Sequence, residues 1–330
     1  MPEERRKMPI AGLSWRKTSI AGRPEKTPVI LLHGFAQTPA SWNGIASALQ
    51  EQGRRTYAPN LFEPESGLAL RACDCGEELT ATGDAACDRS GSPTGDLVAD
   101  PACDVAASPT SNPANHPIAD PLASLGAVCD RVAAIVHLVA RAEGAPVLVG
   151  YSMGGRIAAE TLMRHPDLPL AGLVLESAGL GPTDETARAV LARRNGEWAA
   201  RLRDEGVAAF MDWWETLPLF ATQRDLPPVA RAAIRAEREA HDAEALARAL
   251  EAWGAHHQAT EAETLAALVA VRQAGLPVRY LAGACDAKYA AMADRARAAG
   301  LPVVLIPLAG HNTHLEQPEA FLRGLGPFLA

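Results

Sequence analysis

A serine hydroxyl is a poor nucleophile and a poor base at neutral pH until an imidazole takes its proton and a carboxylate fixes the tautomer of that imidazole. The sequence offers one candidate for each part. Ser152 stands in Gly150-Tyr151-Ser152-Met153-Gly154, between the apolar run 145–149 and the helix-like stretch 155–162. That is the pattern of a strand, a sharp turn and a helix with serine at the apex, a nucleophile elbow. The flanking glycines suit a turn so tight that a Cβ at either position would clash. The hydroxyl is pushed out at a helix N-terminus, where backbone N–H groups favour developing negative charge. The blander alternative is a serine that only caps the helix. Asp286 follows the apolar run Val278 to Gly283, and His311 follows the run Val303 to Pro307 in Ala309-Gly310-His311-Asn312. His314 competes for the role, but the preceding glycine and the immediate strand exit favour His311. In His33-Gly34-Phe35, after Val29 to Leu32, the turn is expected to aim the Phe35 N–H at the same point as the Met153 N–H, an oxyanion hole. His33 itself reads as a structural hydrogen-bonding residue.

The scaffold for these residues is written as short apolar runs alternating with amphipathic helices, the signature of a mainly parallel sheet covered on both faces. The spacing predicts strands at 29–33, 55–58, 147–150, 172–176, 278–282 and 303–307, helices at 41–52, 122–143, 154–165, 288–299 and 318–329, and a hairpin within 9–22. Serine, aspartate and histidine follow one another in the order of the α/β-hydrolase fold. Its core is expected to comprise 1–62, 122–179 and 276–330. Between Gly179 and Gly275 the alternation gives way to helix after helix, at 186–203, 207–214, 228–238, 242–257 and 261–274. Residues 180–275 are therefore expected to form a lid over the carboxyl ends of the strands, where open α/β sheets place their sites.

Net charge is −8, and residues 63–121 hold eleven Asp and Glu against Arg71 and Arg89, so that segment carries −9 and the rest +1. A nearly neutral body gives no support for nucleic-acid binding. The same segment has no aromatic residue, seven prolines and seven large aliphatics, too little apolar surface to offset its ordering entropy, and is expected to be an acidic, disordered insertion. Its Cys73, Cys75, Cys87 and Cys103 match no standard zinc spacing and read as reduced thiols, while Cys129 and Cys285 are expected to pack in the body. No apolar stretch is long enough to span a bilayer, and Met1 to Lys7 leads into polar sequence instead of a signal-peptide core, so a cytoplasmic, non-membrane protein is expected, a monomer or small homo-oligomer.

With these residues placed, the chain resembles the 2-succinyl-6-hydroxy-2,4-cyclohexadiene-1-carboxylate synthases of menaquinone biosynthesis. The matching stretches are Leu32 to Phe35, Gly150 to Arg156, Glu176 to Gly181, Arg193 to Trp198, Phe210 to Trp213 with Pro218 to Phe220, Gly283 to Tyr289, and Gly310 to Glu316. Two departures stand out: Pro59 to Phe62 runs straight into the acidic insertion, where the family continues into a glycine-rich loop, and the polar positions of the lid are less regular. The resemblance implies a lyase step, loss of pyruvate from a cyclohexene tricarboxylate. Ser152, activated by His311 and Asp286, would take a ring proton, with Phe35 and Met153 holding the charge on the succinyl carbonyl and no metal or organic cofactor required. It also implies substrate contacts from Tyr151, Arg156 and Trp213, and from two lid arginines that map best onto Arg193 and Arg238, with Arg194 and Arg235 as rivals. A serine esterase or C–C bond hydrolase is the alternative; a non-catalytic binding protein on the same scaffold is weaker, because all three triad members are present.

Overall fold

The computed structural model describes residues 26–62 and 123–329, together with the backbone of two short strands at 70–72 and 78–79. Strands β1 (Val29–Leu32), β5 (Val147–Tyr151) and β6 (Gly172–Glu176) are buried at every position, as near-continuous apolar runs must be when both faces of a parallel sheet are covered. They pair in parallel with one another, with β2 (Thr56–Ala58) on one side, and with β7 (Val278–Gly283) and β8 (Val303–Ile306) on the other. Beyond β2 the sheet continues antiparallel through β3 (Leu70–Ala72) and β4 (Glu78–Leu79), giving eight strands in the order 4-3-2-1-5-6-7-8.

Those last two strands place five residues of the 63–121 stretch, most of which is expected to be disordered or loosely packed, in the sheet. Strands of two or three residues are too short to show a period of two, and they form by completing the ladder on the open edge of β2. The remainder of the acidic stretch, Cys73, Cys75, Cys87 and Cys103, and the hairpin expected within 9–22 lie outside the described residues.

One face of the sheet is covered by α2 (Leu125–Glu143), α3 (Met153–Arg164) and α8 (Ala287–Ala298), the other by α1 (Asn43–Glu51) and α10 (Pro318–Leu325). Helix α2 illustrates the logic. Ser124 accepts from the Ala127 N–H to cap its start, Val128, Val132, Ile135, Val136 and Val139 recur on its buried face, and Gly144 at φ 95° ends it. Cys129 packs in this layer, whereas Cys285 is exposed, a correction that follows from its place in the turn leaving β7.

Between β6 and β7 run α4 (Glu185–Trp214), α5 (Pro228–Glu239), α6 (Ala243–Ala252) and α7 (Glu261–Gln273). Helix α4 is broken at Gly206, whose φ of 78° and ψ of 170° are not helical, so it comprises two helices close to those expected. Helix α6 ends at Ala252, short of the expected 257, and passes into a tight 3-10 turn at Ala255–His257. Gly254 permits that turn, because a Cβ there would lie 2.2 Å from the Asn195 side-chain amide. Among the described residues no helix is long and apolar enough to cross a membrane, and no group of three or more His, Cys, Asp or Glu could hold a metal ion.

Candidate active site

The elbow is built by close backbone approach. A Cβ on Gly150 would lie 2.5 Å from the Gly154 carbonyl oxygen, and one on Gly154 would lie 2.3 Å from that of Leu32. Only glycine lets β5, α3 and β1 converge so tightly. Ser152 at the apex has φ 51° and ψ −106°, a conformation a side-chain-bearing residue adopts at a cost, held by its N–H donating to the Glu176 carbonyl at 2.8 Å.

A similar approach joins the other two residues. A Cβ on Gly283 would lie 1.9 Å from the Gly310 carbonyl oxygen, so the loops leaving β7 and β8 touch where Asp286 and His311 project. Asp286 Oδ1 accepts from the Tyr289 N–H at 3.1 Å, capping α8, and its Oδ2 accepts from His311 Nδ1 at 2.9 Å. With a carboxylate at Nδ1, that nitrogen carries the proton and Nε2 offers its lone pair to the Ser152 hydroxyl, 2.9 Å away. Asp286 and His311 are both buried.

His314 is committed elsewhere. Its Nδ1 donates to Glu176 Oε2 at 2.7 Å, while Glu176 Oε1 accepts from the His314 N–H at 2.9 Å and from Thr313 Oγ1 at 2.7 Å. His33 is equally fixed. Its Nε2 accepts from the Leu61 N–H at 3.0 Å, so Nδ1 donates to the Gly34 carbonyl at 2.9 Å, and burial pushes its pKa down to about 4. No described residue accepts a hydrogen bond from the backbone N–H of Phe35 or of Met153, the first residue of α3.

The remaining candidates are distributed unequally. The Tyr151 ring is buried 5.3 Å from that of His311, and burial raises its pKa well above 10, so the phenol stays neutral. The Arg156 guanidinium donates to the Trp253 carbonyl at 2.8 Å; no described carboxylate pairs with it, and burial lowers its pKa to about 10. Arg193 points outward: its side chain is 74% exposed and faces Glu197 at 3.9 Å. Its neighbour Arg194 turns inward, over Trp198 at 4.4 Å and close enough to Arg156 for the two charges to repel. Arg238 is buried on Phe220, 4.9 Å from the ring centroid, and pairs with Glu215 at 2.7 Å; Arg235 is held by Asp212, Glu215 and Glu239. Trp213 packs on Trp198 and Trp214 and under Arg201.

Three aromatic residues near the imidazole carry no role in the sequence reading. Tyr289 lies 4.5 Å from the His311 ring, Phe220 lies 6.3 Å from it, and Trp214 packs on both Phe220 and Phe35. The signal for Tyr289 is its spacing, three residues after Asp286 on the first turn of α8. The Phe220 segment reaches the loop that carries His311 directly, since a Cβ on Gly310 would meet Thr222 Oγ1 at 2.0 Å. Helix α5 reaches the β1 exit through Glu237, whose Oε1 accepts from both the N–H and the hydroxyl of Thr38 at 2.7 Å.

Comparison with known proteins agrees with this fold. A profile of the alpha/beta hydrolase family matches residues 29–323. Over 182 residues the chain is 35% identical to the 2-succinyl-6-hydroxy-2,4-cyclohexadiene-1-carboxylate synthase of Serratia proteamaculans, covering 55% of this chain and 67% of that protein. The protein of the same name from Salmonella newport is 36% identical over 184 residues, with the same shares. Among solved structures, MenH from S. aureus superposes with a TM-score of 0.68 at 20% identity, covering 94% of this chain and 95% of that one. A thermophilic esterase from Thermogutta terrifontis gives 0.59 at 21% identity, covering 93% and 92%. The sheet order, the elbow on β5 and the profile match over nearly all the described residues lead to one assignment: the chain is an enzyme of the alpha/beta hydrolase family and groups with its 2-succinyl-6-hydroxy-2,4-cyclohexadiene-1-carboxylate synthase relatives.

Proposed function

We propose that this enzyme is a carbon–oxygen lyase that eliminates pyruvate from 2-succinyl-5-enolpyruvyl-6-hydroxy-3-cyclohexene-1-carboxylate, giving 2-succinyl-6-hydroxy-2,4-cyclohexadiene-1-carboxylate. The observation that carries this reading is a half-buried positive charge with no carboxylate partner among the described residues. Arg156 sits one helical turn beyond Ser152, its guanidinium bonded only to a carbonyl, with Arg194 nearby. Burying an unpaired cation is costly, and a substrate bearing three carboxylates would relieve that cost. The names of the relatives give the same product.

The residues suit a proton abstraction. His311, oriented by Asp286, takes the Ser152 proton as the serine oxygen removes the ring proton on the carbon bearing the succinyl group. The C–H electron pair forms the first ring double bond, the existing one shifts along the ring, and the C–O bond to enolpyruvate breaks. The leaving enolate takes up a proton to become pyruvate, so the step balances without an oxidant or reductant. Negative charge that spreads onto the succinyl carbonyl would be met by the Phe35 and Met153 N–H groups, which have no described acceptor of their own. Residues 180–275 act in this reading as a lid, with Arg194 and Arg238 on its inner side, Tyr151 and Tyr289 beside the imidazole, and Trp213 as outer support.

The test is to mix the enzyme with the cyclohexene substrate and follow pyruvate release together with diene absorbance. Stoichiometric appearance of both is expected. Undetectable pyruvate, with rapid ester turnover that leaves an acyl group on Ser152 by mass spectrometry, overturns the lyase in favour of a serine esterase or C–C bond hydrolase.

A further inference from the structure

We propose that the helical segment carries a second anion-binding pocket, distinct from the Ser152 site, that takes a small dianion, a dicarboxylate or a phosphate, on Arg224, Arg231 and Gln223. A cavity of about 300 Å³ lies between the 3-10 segment Pro218–Asp225 and α5, at the small end of the range for small-molecule sites. Four arginines and one carboxylate, Glu215, contribute to its wall.

The charge balance identifies what the cavity lacks. Glu215 gives Oε1 to Arg238 at 2.7 Å and Oε2 to Arg235 at 3.2 Å, and Arg235 is further held by Asp212 and Glu239. Those two guanidinium groups are already neutralised. Arg224 donates only to the Thr216 carbonyl at 3.0 Å, and Arg231 has no side-chain partner among the described residues. Gln223 supplies a second, independent signal. Its Oε1 accepts from Arg238 at 3.0 Å, which leaves Nε2 as the free end of an amide that is only 6% exposed, with no acceptor among the described residues. A buried amide donor is costly to leave unpaired. Two exposed guanidinium groups with no carboxylate partner among the described residues, beside a buried orphaned donor on the same cavity wall, suit a compact ligand with several acceptor oxygens and a charge near −2.

The lining of the pocket includes none of Ser152, Asp286 and His311. Phe220, with Arg238 stacked on it at 4.9 Å, stands between the cavity and the His311 ring, so a bound anion would press on the residues that face the imidazole without touching it. The inference therefore does not depend on which reaction the triad performs.

Calorimetric titration of the full chain with succinate, and separately with inorganic phosphate, at low ionic strength tests it. Saturable binding of at least one is expected, the tighter of the two giving the ligand class. Arg224→Met and Arg231→Met should each weaken it about three- to tenfold, the modest size reflecting their exposure. Gln223→Glu keeps the shape but replaces the donor with a negative charge, and should abolish binding. Arg156→Met should leave it unchanged. Absence of saturable binding overturns the proposal, as does binding that is lost in Arg156→Met and indifferent to Arg224→Met and Arg231→Met.

Discussion

His311 and His314 lie three residues apart, and each gives its Nδ1–H to a buried carboxylate, Asp286 at 2.9 Å and Glu176 at 2.7 Å. They differ at the other ring nitrogen. Nε2 of His311 faces the Ser152 hydroxyl, whereas Nε2 of His314 is buried with no described partner and its ring lies on Trp42, 3.8 Å between centroids. A histidine–carboxylate pair becomes an acid–base device through what stands at its free nitrogen. Without a proton to exchange there, the same pair is a brace. Glu176 fastens Thr313 and His314 to the end of β6, and its own carbonyl takes the Ser152 N–H, so one residue holds both the elbow and the loop carrying His311.

The largest expected effect breaks the member of this comparison proposed to be catalytic. Asp286→Asn keeps an acceptor for the Tyr289 N–H but favours the wrong imidazole tautomer, and should lower pyruvate release by about 10³- to 10⁴-fold with little change in melting temperature. A loss under tenfold would mean that orientation by Asp286 is dispensable.

The matching experiment on the brace is Glu176→Leu. It strands the Thr313 hydroxyl and two His314 donors, and removing one partner of a buried pair costs about 3–5 kcal/mol. Urea unfolding should show that loss, while turnover per folded molecule falls less than tenfold. A variant of wild-type stability with a catalytic defect as large as that of Asp286→Asn would turn the brace into part of the reaction machinery.

A third histidine sharpens the contrast, because His33 has no carboxylate partner among the described residues. Burial holds its folded pKa at about 4, below the ordinary value of 6.5, so the native state binds fewer protons than the unfolded chain between these limits. Its contribution is fully present above pH 6.5 and is lost as pH falls towards 4, about 3 kcal/mol in all. His256, depressed likewise but less buried, adds less. Urea midpoints from pH 7 to 4.5 should fall steeply in the wild type and more gently in His33→Gln. Identical slopes would remove His33 from the account.

How far the sequence could be read follows from how local each signal is. Ser152, Asp286 and His311 are legible because each sits at the exit of an apolar strand, and the glycines at 150, 154 and 283 mark where backbones must meet. The parallel strands are legible for the same reason, while β3 and β4 are not, since pairing with β2 and not their own pattern makes them strands. The arginine pointing inward from α4 was not legible either. Adjacent residues on a helix differ by about 100° in direction, and the break at Gly206 and the polar character of α4 hide the phase that would choose Arg194 over Arg193, or Trp214 over Trp213.

That last distinction gives the smallest effect and the finest test. Arg156→Met keeps most of the stem volume but removes a charge-assisted contact worth about 1.5–3 kcal/mol, so kcat/KM for the tricarboxylate should fall about ten- to hundredfold. Arg194→Met, at a less buried site, should fall in the lower part of that range. Arg193→Met should change nothing measurable, because its side chain is 74% exposed and 3.9 Å from Glu197, an exposed i,i+4 pair of little energetic weight. A neutral ester should be indifferent to all three. If Arg193→Met instead costs as much as Arg156→Met while Arg194→Met is silent, α4 must rotate by about one residue when substrate binds. The inward face of the helix would then be a property of the complex and not of the free enzyme.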